Sequence, residues 1–278
     1  MDLMFANKKL SRAHQRIADY ISKNVDDIPY MVEEDLAKAC QVSISTVSRF
    51  WAEIGSQSLK DFRQRVKDEV MISPARKLQS AFDKWSPSSG ATASLLAGAD
   101  YLQQSAARLV QAEFDRGVNM LASGRTVYLY GPGSAESLSA LMDFRLTRFG
   151  VQVRRLDRGG HELFDSLVHI ADQDVIVIFG FVSESPEMKV LFDFATARGC
   201  KTLLITDLVV SDMIDKADMS IYTARGQLWE FHSMVAPIAM VEALVVAVGK
   251  LREQEALANG EELHQLRRRY EKWLPKRV

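Results

Sequence analysis

The chain has 278 residues, 47% hydrophobic and 26% charged, with a formal net charge of −1. It is long enough for two packed domains, too apolar for a disordered tail, and too balanced for a uniformly basic or acidic polyelectrolyte. The balance conceals a gradient: net +2 over residues 1–77 (13 basic, 11 acidic), −6 over residues 78–249 (14 and 20) and +3 over residues 250–278 (8 and 5). Cys40 and Cys200 fall in apolar surroundings of separate predicted domains and read as reduced core residues, not a disulfide or metal pair.

Residues Val32 to Phe50 fit a helix, a three-residue turn and a second helix of the kind that enters the DNA major groove. Leu36, Ala37, Cys40 and Val42 are spaced to pack inward, and Ile44, Val47, Phe50 and Trp51 continue that stripe. Ser43 is placed to cap the second helix. Between the inward positions, Ser45, Thr46, Ser48 and Arg49 are short polar groups plus one guanidinium, the types that reach phosphates and base edges. A helical hairpin with a merely wet polar face would show the same stripe. Charge favours the DNA reading: residues 1–35 carry five Lys/Arg against seven Asp/Glu, residues 36–77 eight against four. Cations collected there suit a phosphate-facing surface, because counterion release supplies most non-specific affinity.

Gly55 is a predicted C-terminal stop, and Ser58-Leu59-Lys60-Asp61 has the Ser-x-x-Asp form that opens a further helix. Leu59, Phe62, Val66 and Val70 share its packing face. Lys60, Arg63 and Lys67 lie off it, available to phosphate or simply solvated. The predicted DNA-binding set is therefore Ser43, Ser45, Thr46, Ser48, Arg49 and Lys60.

Leu10 to Val70 resembles the N-terminal domain of RpiR-family bacterial transcriptional regulators. The resemblance is carried by Leu10-Ser11, Ile17-Ala18-Asp19-Tyr20-Ile21, Asp35-Leu36-Ala37, Val42-Ser43, Thr46-Val47-Ser48-Arg49-Phe50 and Ile54-Gly55. Gln41 replaces the usual turn glycine, and Ser56 and Ser58 replace a usual Phe and Gly. The resemblance implies a transcriptional regulator that binds double-stranded operator DNA.

Ser73-Pro74 and Ser86-Pro87-Ser88-Ser89-Gly90 punctuate a boundary, with Leu78, Phe82 and Trp85 suggesting a short amphipathic connector. The expected division is a helix-turn-helix domain over residues 1–72, a linker over 73–94, and a second domain over 95–278. Apolar residues recurring every three or four positions from Leu95 to Leu121 predict one long helix.

Strands then alternate with helices: Thr126–Tyr130, Gln152–Leu156, Asp174–Phe179, Lys201–Thr206 and Met219–Tyr222, separated by helices over Ser134–Phe149, His161–Ile170, Pro186–Arg198 and Ser211–Ala217. Near-continuous apolar strands separated by helices predict an α/β doubly wound (flavodoxin-like) parallel sheet covered on both faces. Its ligands belong at the carboxyl ends of the strands, near the switch in strand order. A last long helix is predicted over Leu228–Leu251. Its apolar run from Met234 to Gly249 contains Pro237 and Glu242 and falls short of the roughly 20 residues a bilayer needs. A basic-then-apolar leader is not expected at Met1-Asp2-Leu3, and with the short apolar run a cytoplasmic protein is expected.

Two strand ends carry loops suited to a ligand. Gly131-Pro132-Gly133-Ser134-Ala135-Glu136-Ser137 is a tight turn into a helix, where backbone N–H groups can hold an anion. It lacks a P-loop Lys and a dinucleotide fingerprint, and the same glycines also suit a turn without a ligand. Gly180-Phe181-Val182-Ser183-Glu184-Ser185-Pro186-Glu187 leads into a second helix with Pro at its first position. With these loops, residues from about Thr126 to Leu251 resemble a sugar isomerase (SIS) domain, the usual C-terminal partner in RpiR-type regulators, which senses phosphosugars or related metabolites. The resemblance implies effector contacts from Gly133, Ser134, Glu136, Ser137, Ser183, Glu184 and Ser185.

The usual Ser-x-Ser-Gly-x-Thr cradle is eroded in the second loop. A carboxylate at Glu184 would repel a phosphate dianion by about 1 kcal/mol per charge pair in water and more where water is excluded. The expectation is altered ligand chemistry: a weaker phosphate site, a neutral or amine-bearing effector, or no small-molecule role.

An aldose–ketose isomerase needs a general base, for which Glu136, His161, Glu230 and His232 are candidates without forming a constellation. The fused DNA reader and the eroded cradle favour a non-enzyme that uses no metal or cofactor. A module kept only for oligomerisation is a third reading. Leu263, Leu266, Tyr270 and Trp273 have interface-like spacing, and a homodimer or homotetramer is expected because helix-turn-helix readers act on half-sites about 34 Å apart.

Overall fold

The computed structural model describes residues 10–23, 28, 31–69, 74–181, 183–209, 211–226 and 230–274. Two compact units emerge: Met1–Gly98 with Leu208–Asp212 and Arg225–Ser233, and Ala99–Asp207 with Met213–Ala224 and Met234–Val278.

The first unit contains α1 (Arg12–Lys23), α2 (Glu33–Ala39), α3 (Ile44–Ile54), α4 (Leu59–Glu69) and α5 (Pro74–Asp83). Each start has a local cause. The Ser11 hydroxyl accepts the His14 N–H at 3.2 Å at the head of α1. Glu33, Glu34 and Asp35 fill the first turn of α2, favourable at the positive end of a helix dipole, and Asp35 accepts the Val32 N–H at 3.2 Å. The Ser43 hydroxyl accepts the Thr46 N–H at 3.2 Å, and α3 stops at Gly55 with φ +80°. Before α4, the Ser58 hydroxyl accepts the Asp61 N–H at 3.2 Å. The Asp61 carboxylate accepts from Gln57 rather than from Ser58, at 2.9 Å, so the predicted box closes one residue earlier.

The core of this unit joins Ile17 and Ile21 of α1, Leu36 and Ala37 of α2, Val47, Phe50 and Trp51 of α3, and Leu59 and Phe62 of α4. Trp51 packs edge-on to Phe50 at 5.1 Å between ring centroids and lies 5.2 Å from Phe62. Truncating an aromatic residue in such a cluster costs about 3–5 kcal/mol.

Two side chains depart from expectation. Ile44, assigned to the inward stripe, is 47% exposed, because as the first residue of α3 it lies outside the buried cluster. Arg63, offered to phosphate, is buried, and its Nε donates to the Ile28 carbonyl at 2.9 Å. Burial pushes its guanidinium down to about 10, against the opposing pull of Glu33. Of the predicted packing face of α4, the Val66 side chain and Val70 lie outside the described residues.

Further along the chain come α6 (Gly90–Arg108) and α7 (Gln111–Ser123), where the sequence predicts one helix. Val110 is extended, with φ −95° and ψ 109°, and caps α7. A period of 3.6 cannot distinguish two consecutive helices in phase from one. Burial distinguishes them: Leu95 and Leu96 of α6 are exposed, whereas Phe114, Val118 and Leu121 of α7 are buried.

The second unit is built on β1 (Val127–Tyr130), β2 (Val153–Arg155), β3 (Val175–Phe179), β4 (Lys201–Thr206) and β5 (Met219–Tyr222). All pairings are parallel, in the order β2-β1-β3-β4-β5, the doubly wound arrangement expected. Between the strands run α8 (Glu136–Arg148), α9 (Leu163–Leu167), α10 (Pro186–Arg198) and α11 (Asp212–Lys216), followed by α12 (Val235–Leu251) and α13 (Glu253–Arg269). Strand alternation sends Val127, Leu129, Val175, Val177, Phe179, Leu203 and Ile205 to the face covered by α7, α8 and α12. Ile176, Ile178 and Leu204 point to the other face and are equally buried, which explains the continuous apolar runs.

At the amino ends of the strands, Asp174 accepts two bonds from Arg125, at 2.9 and 2.6 Å, and the N–H groups of Thr126 and Ala171 at 3.1 and 2.8 Å. Asp218 joins Lys201 and the Thr202 N–H at 2.8 and 2.9 Å. These links pin the amino end of the sheet, opposite the carboxyl ends of its strands.

The predicted last helix begins at Val235 rather than Leu228, and residues 228–229 lie outside the described residues. His232 therefore sits in irregular chain, not on a helix. Among the described residues, no helix is long and apolar enough to cross a membrane.

Candidate functional site

The first unit presents the predicted reading surface on α3. Ser43, Ser45, Ser48 and Arg49 are exposed and Thr46 is half-buried, while Val47 and Phe50 of the same turns are buried. The helix thus divides into a core face and a polar face. Ser43 is occupied as the cap, with its hydroxyl 2.8 Å from those of Ser45 and Thr46. The Arg49 Nε donates to the Ser45 carbonyl at 3.1 Å, one turn back. Ser48 donates to the Glu33 carboxylate at 2.9 Å, joining α3 to α2. Lys60 is exposed at the start of α4. The turn entering α3 has an unusual backbone: Gln41 has φ +52°, where the other described positive-φ residues are glycines.

In the second unit a cleft of about 290 Å³ opens at the carboxyl ends of β1 and β2, lined by Leu129 to Gly133, Glu136, Ser139, Arg155 to Gly159, and Glu187. The switch in strand order lies between β1 and β3, where the chains leave for opposite faces; the cleft adjoins it on the β2 side of β1, with Glu187 of α10 reaching it from beyond β3. Two glycines shape its floor. Gly133 has φ +60°. A Cβ at Gly131 would come within 2.6 Å of the Ala135 carbonyl and 2.7 Å of the Ser139 hydroxyl, so only a residue lacking that atom lets α8 approach the strand this closely.

The cleft mixes three carboxylates, Glu136, Asp157 and Glu187, with two guanidiniums, Arg155 and Arg158. Arg155 Nη2 holds Glu136 at 2.9 Å. Glu187 accepts the Gly160 N–H at 3.3 Å. Hydrogen bonds from its own amide and from Gly160 hold its carboxyl below the usual range. Burial pushes the Tyr130 phenol up, opposed by its contact with Ser185.

The predicted effector residues do not all meet in this cleft. Gly133 and Glu136 line it; Ser134, Ser137, Ser183, Glu184 and Ser185 are not among its lining residues. Ser137 donates to the Ser134 carbonyl at 2.8 Å within the first turn of α8. Ser185 caps α10, accepting the Met188 N–H at 3.2 Å, and lies 3.4 Å from the Tyr130 hydroxyl. Glu184 is paired with Lys216 at 2.7 and 2.9 Å. The repulsion expected of Glu184 is therefore offset by a cation 32 residues downstream.

Tyr130, Ser139, Arg155, Asp157 and Arg158 lie outside both predicted loops, and Glu187, which closes the second, lies outside the predicted contact set. Four of them sit at or just past the ends of β1 and β2, a signal available wherever a doubly wound sheet is predicted. Of the isomerase candidates, only Glu136 reaches the cleft. His161 packs edge-on to Phe164 at 5.7 Å, and Glu230 pairs with Lys84. Among the described residues, no cluster of His, Cys, Asp and Glu is suited to hold a metal ion.

Residues 2–73 match the helix-turn-helix domain of the rpiR family, and residues 120–247 match the SIS domain. Among solved structures, the chain is similar to the Vibrio vulnificus NanR protein complexed with ManNAc-6P, with 20% identity and a TM-score of 0.59 over 95% of this chain and 97% of that one. The sugar isomerase domain of an RpiR transcription factor from Sphaerobacter thermophilus matches with 20% identity and a TM-score of 0.58, over 62% of this chain and 96% of that one. A Bacteroides fragilis protein named for phosphosugar isomerisation in capsule formation matches with 15% identity and a TM-score of 0.51, over 61% and 95%. At these identities the likeness is one of fold. With both domains matched, in this order and over most of its length, the chain belongs to the RpiR family of transcriptional regulators, a helix-turn-helix domain followed by a SIS domain.

Proposed function

We propose that this regulator acts in the cytoplasm as a homodimer or homotetramer, binds double-stranded operator DNA through α3, and changes its DNA affinity when a sugar phosphate or related metabolite enters the cleft of the second unit. The observation that carries the DNA reading is the exposed row Ser45, Ser48 and Arg49 on a helix whose opposite side is locked by Val47, Phe50 and Trp51. Such a row offers hydroxyls and a guanidinium from the first turns of a helix, the geometry of major-groove readout. The likeness to NanR complexed with ManNAc-6P supports a phosphosugar effector, and the size of the cleft suits a monosaccharide.

We assign no turnover to the cleft. An isomerase base works best with a pKa near the operating pH, whereas hydrogen bonds hold the Glu187 carboxyl below the usual carboxylate range. Incubation with aldose and ketose phosphates is expected to return them unchanged.

The decisive experiment is a mobility-shift titration of the full chain on the DNA flanking its own gene, at low salt, with and without a phosphosugar panel. Retarded DNA, released or tightened by one panel member, is the expected result. Indifference to DNA at low salt in every condition would remove the proposal.

A further inference from the structure

Resting on the reading of the second unit as an effector domain, we infer that the anionic group of the effector is anchored by Arg155 and the Ser139 hydroxyl on the β1–β2 side of the cleft, not by the serines that precede α10. The Ser139 side chain lines the cleft and is 2% exposed, yet its Oγ has no hydrogen-bond partner among the described residues. The Nε of Arg155, which lines the same cleft, is also buried without a partner among the described residues. Buried polar atoms are rarely left unsatisfied, and two on residues that line one cleft beside the switch in strand order mark where a polar ligand belongs.

The groups expected to do this work are engaged elsewhere. The Ser185 hydroxyl caps α10, Glu184 is paired with Lys216, and Ser183 is exposed outside the cleft lining. Glu187, in the first turn of α10, projects a carboxylate into the cleft. A negative charge there disfavours a phosphate at that helix start and favours ligand hydroxyls, which donate to it.

Arg155 also has an exchangeable partner. Its bond to Glu136 is 2.9 Å long, and the Glu136 side chain is 66% exposed. A phosphate or carboxylate can replace an exposed carboxylate at small cost, because exposed ion pairs contribute little. The ligand class is thus a polyhydroxylated molecule with one anionic end, oriented with that end on Arg155 and its hydroxyls towards Glu187 and Asp157.

Calorimetric titration of the full chain with hexose 6-phosphates, N-acetylhexosamine 6-phosphates and their unphosphorylated parents tests this. Arg155→Gln is expected to weaken the phosphorylated ligand roughly 10- to 100-fold, the loss of one charge-assisted hydrogen bond. Ser139→Ala is expected to weaken it several-fold while leaving the unliganded melting temperature unchanged or raised, because it removes an unsatisfied buried hydroxyl. Ser183→Ala is expected to bind as the parent does. Wild-type affinity in both Arg155→Gln and Ser139→Ala, or loss of binding in Ser183→Ala alone, overturns the assignment while leaving the effector reading intact. Failure of every phosphorylated compound to bind the parent protein overturns both.

Discussion

Gln41 shows how a single residue stores a measurable cost. An L-residue with a side chain at φ +52° meets its own carbonyl, a strain of about 1–2 kcal/mol that glycine escapes. The compensating loss is the greater freedom of glycine in the unfolded chain, up to about 1 kcal/mol. Gln41→Gly is expected to leave stability unchanged or raise it by up to about 1 kcal/mol in urea unfolding. A marked loss would mean that the side chain has a role in the turn.

Asp174 is the opposite case. Burial alone would raise its pKa, but the bonds from Arg125 and the amides of Ala171 and Thr126 outweigh burial and hold it below its ordinary value. A depressed carboxyl stabilises the fold above its unfolded value near 4 and loses that contribution as pH falls through the lower folded value. Asp174→Ala should cost about 2–3 kcal/mol at pH 7, since it leaves two half-buried amides and Arg125 without their acceptor. The difference from wild type should shrink on acidification below about pH 4, followed by circular dichroism.

At the scale of elements, most helix boundaries are local. Ser185 and Pro186 open α10 and Gly199, at φ +80°, closes it. Ser43 and Gly55 do the same for α3. Each follows from the chemistry of orphan N–H and C=O groups and could be read without a fold. Ser185→Ala is expected to lower stability by about 1 kcal/mol, the usual worth of an N-cap, with little effect on DNA binding. Measuring melting temperature and operator affinity on the same sample separates these roles. Ligand anchoring by Ser185 would instead appear as lost effector response at unchanged stability. Boundaries not encoded locally were missed, as at Val110, where one apolar period runs through two helices.

For the whole molecule, the charge gradient sets where DNA can lie. The residues after α2 carry a basic excess and residues 78–249 are acidic, so a duplex is expected on the helix-turn-helix segment rather than on the acidic stretch. Arg49→Ala should weaken operator binding about tenfold, with oligomeric state unchanged by light scattering. Affinity should also fall steeply with salt as counterions are released. An unaltered titration would mean that α3 is not the recognition helix.

The order of helices and strands, the two-layer covering of the sheet and the polar face of α3 were all legible in the chain, because periods of 3.6 and 2 and the capping residues act over a few positions. Partnerships between distant residues were not. Lys216 neutralises Glu184, the Ile28 carbonyl claims Arg63, and Glu136 closes on Arg155, over separations of 32, 35 and 19 residues. The sequence by itself therefore determined which segments fold and which surface is basic. Only the tertiary structure decided which polar groups remain for a ligand, since a side chain is spent or available according to neighbours that packing, not spacing, brings within reach.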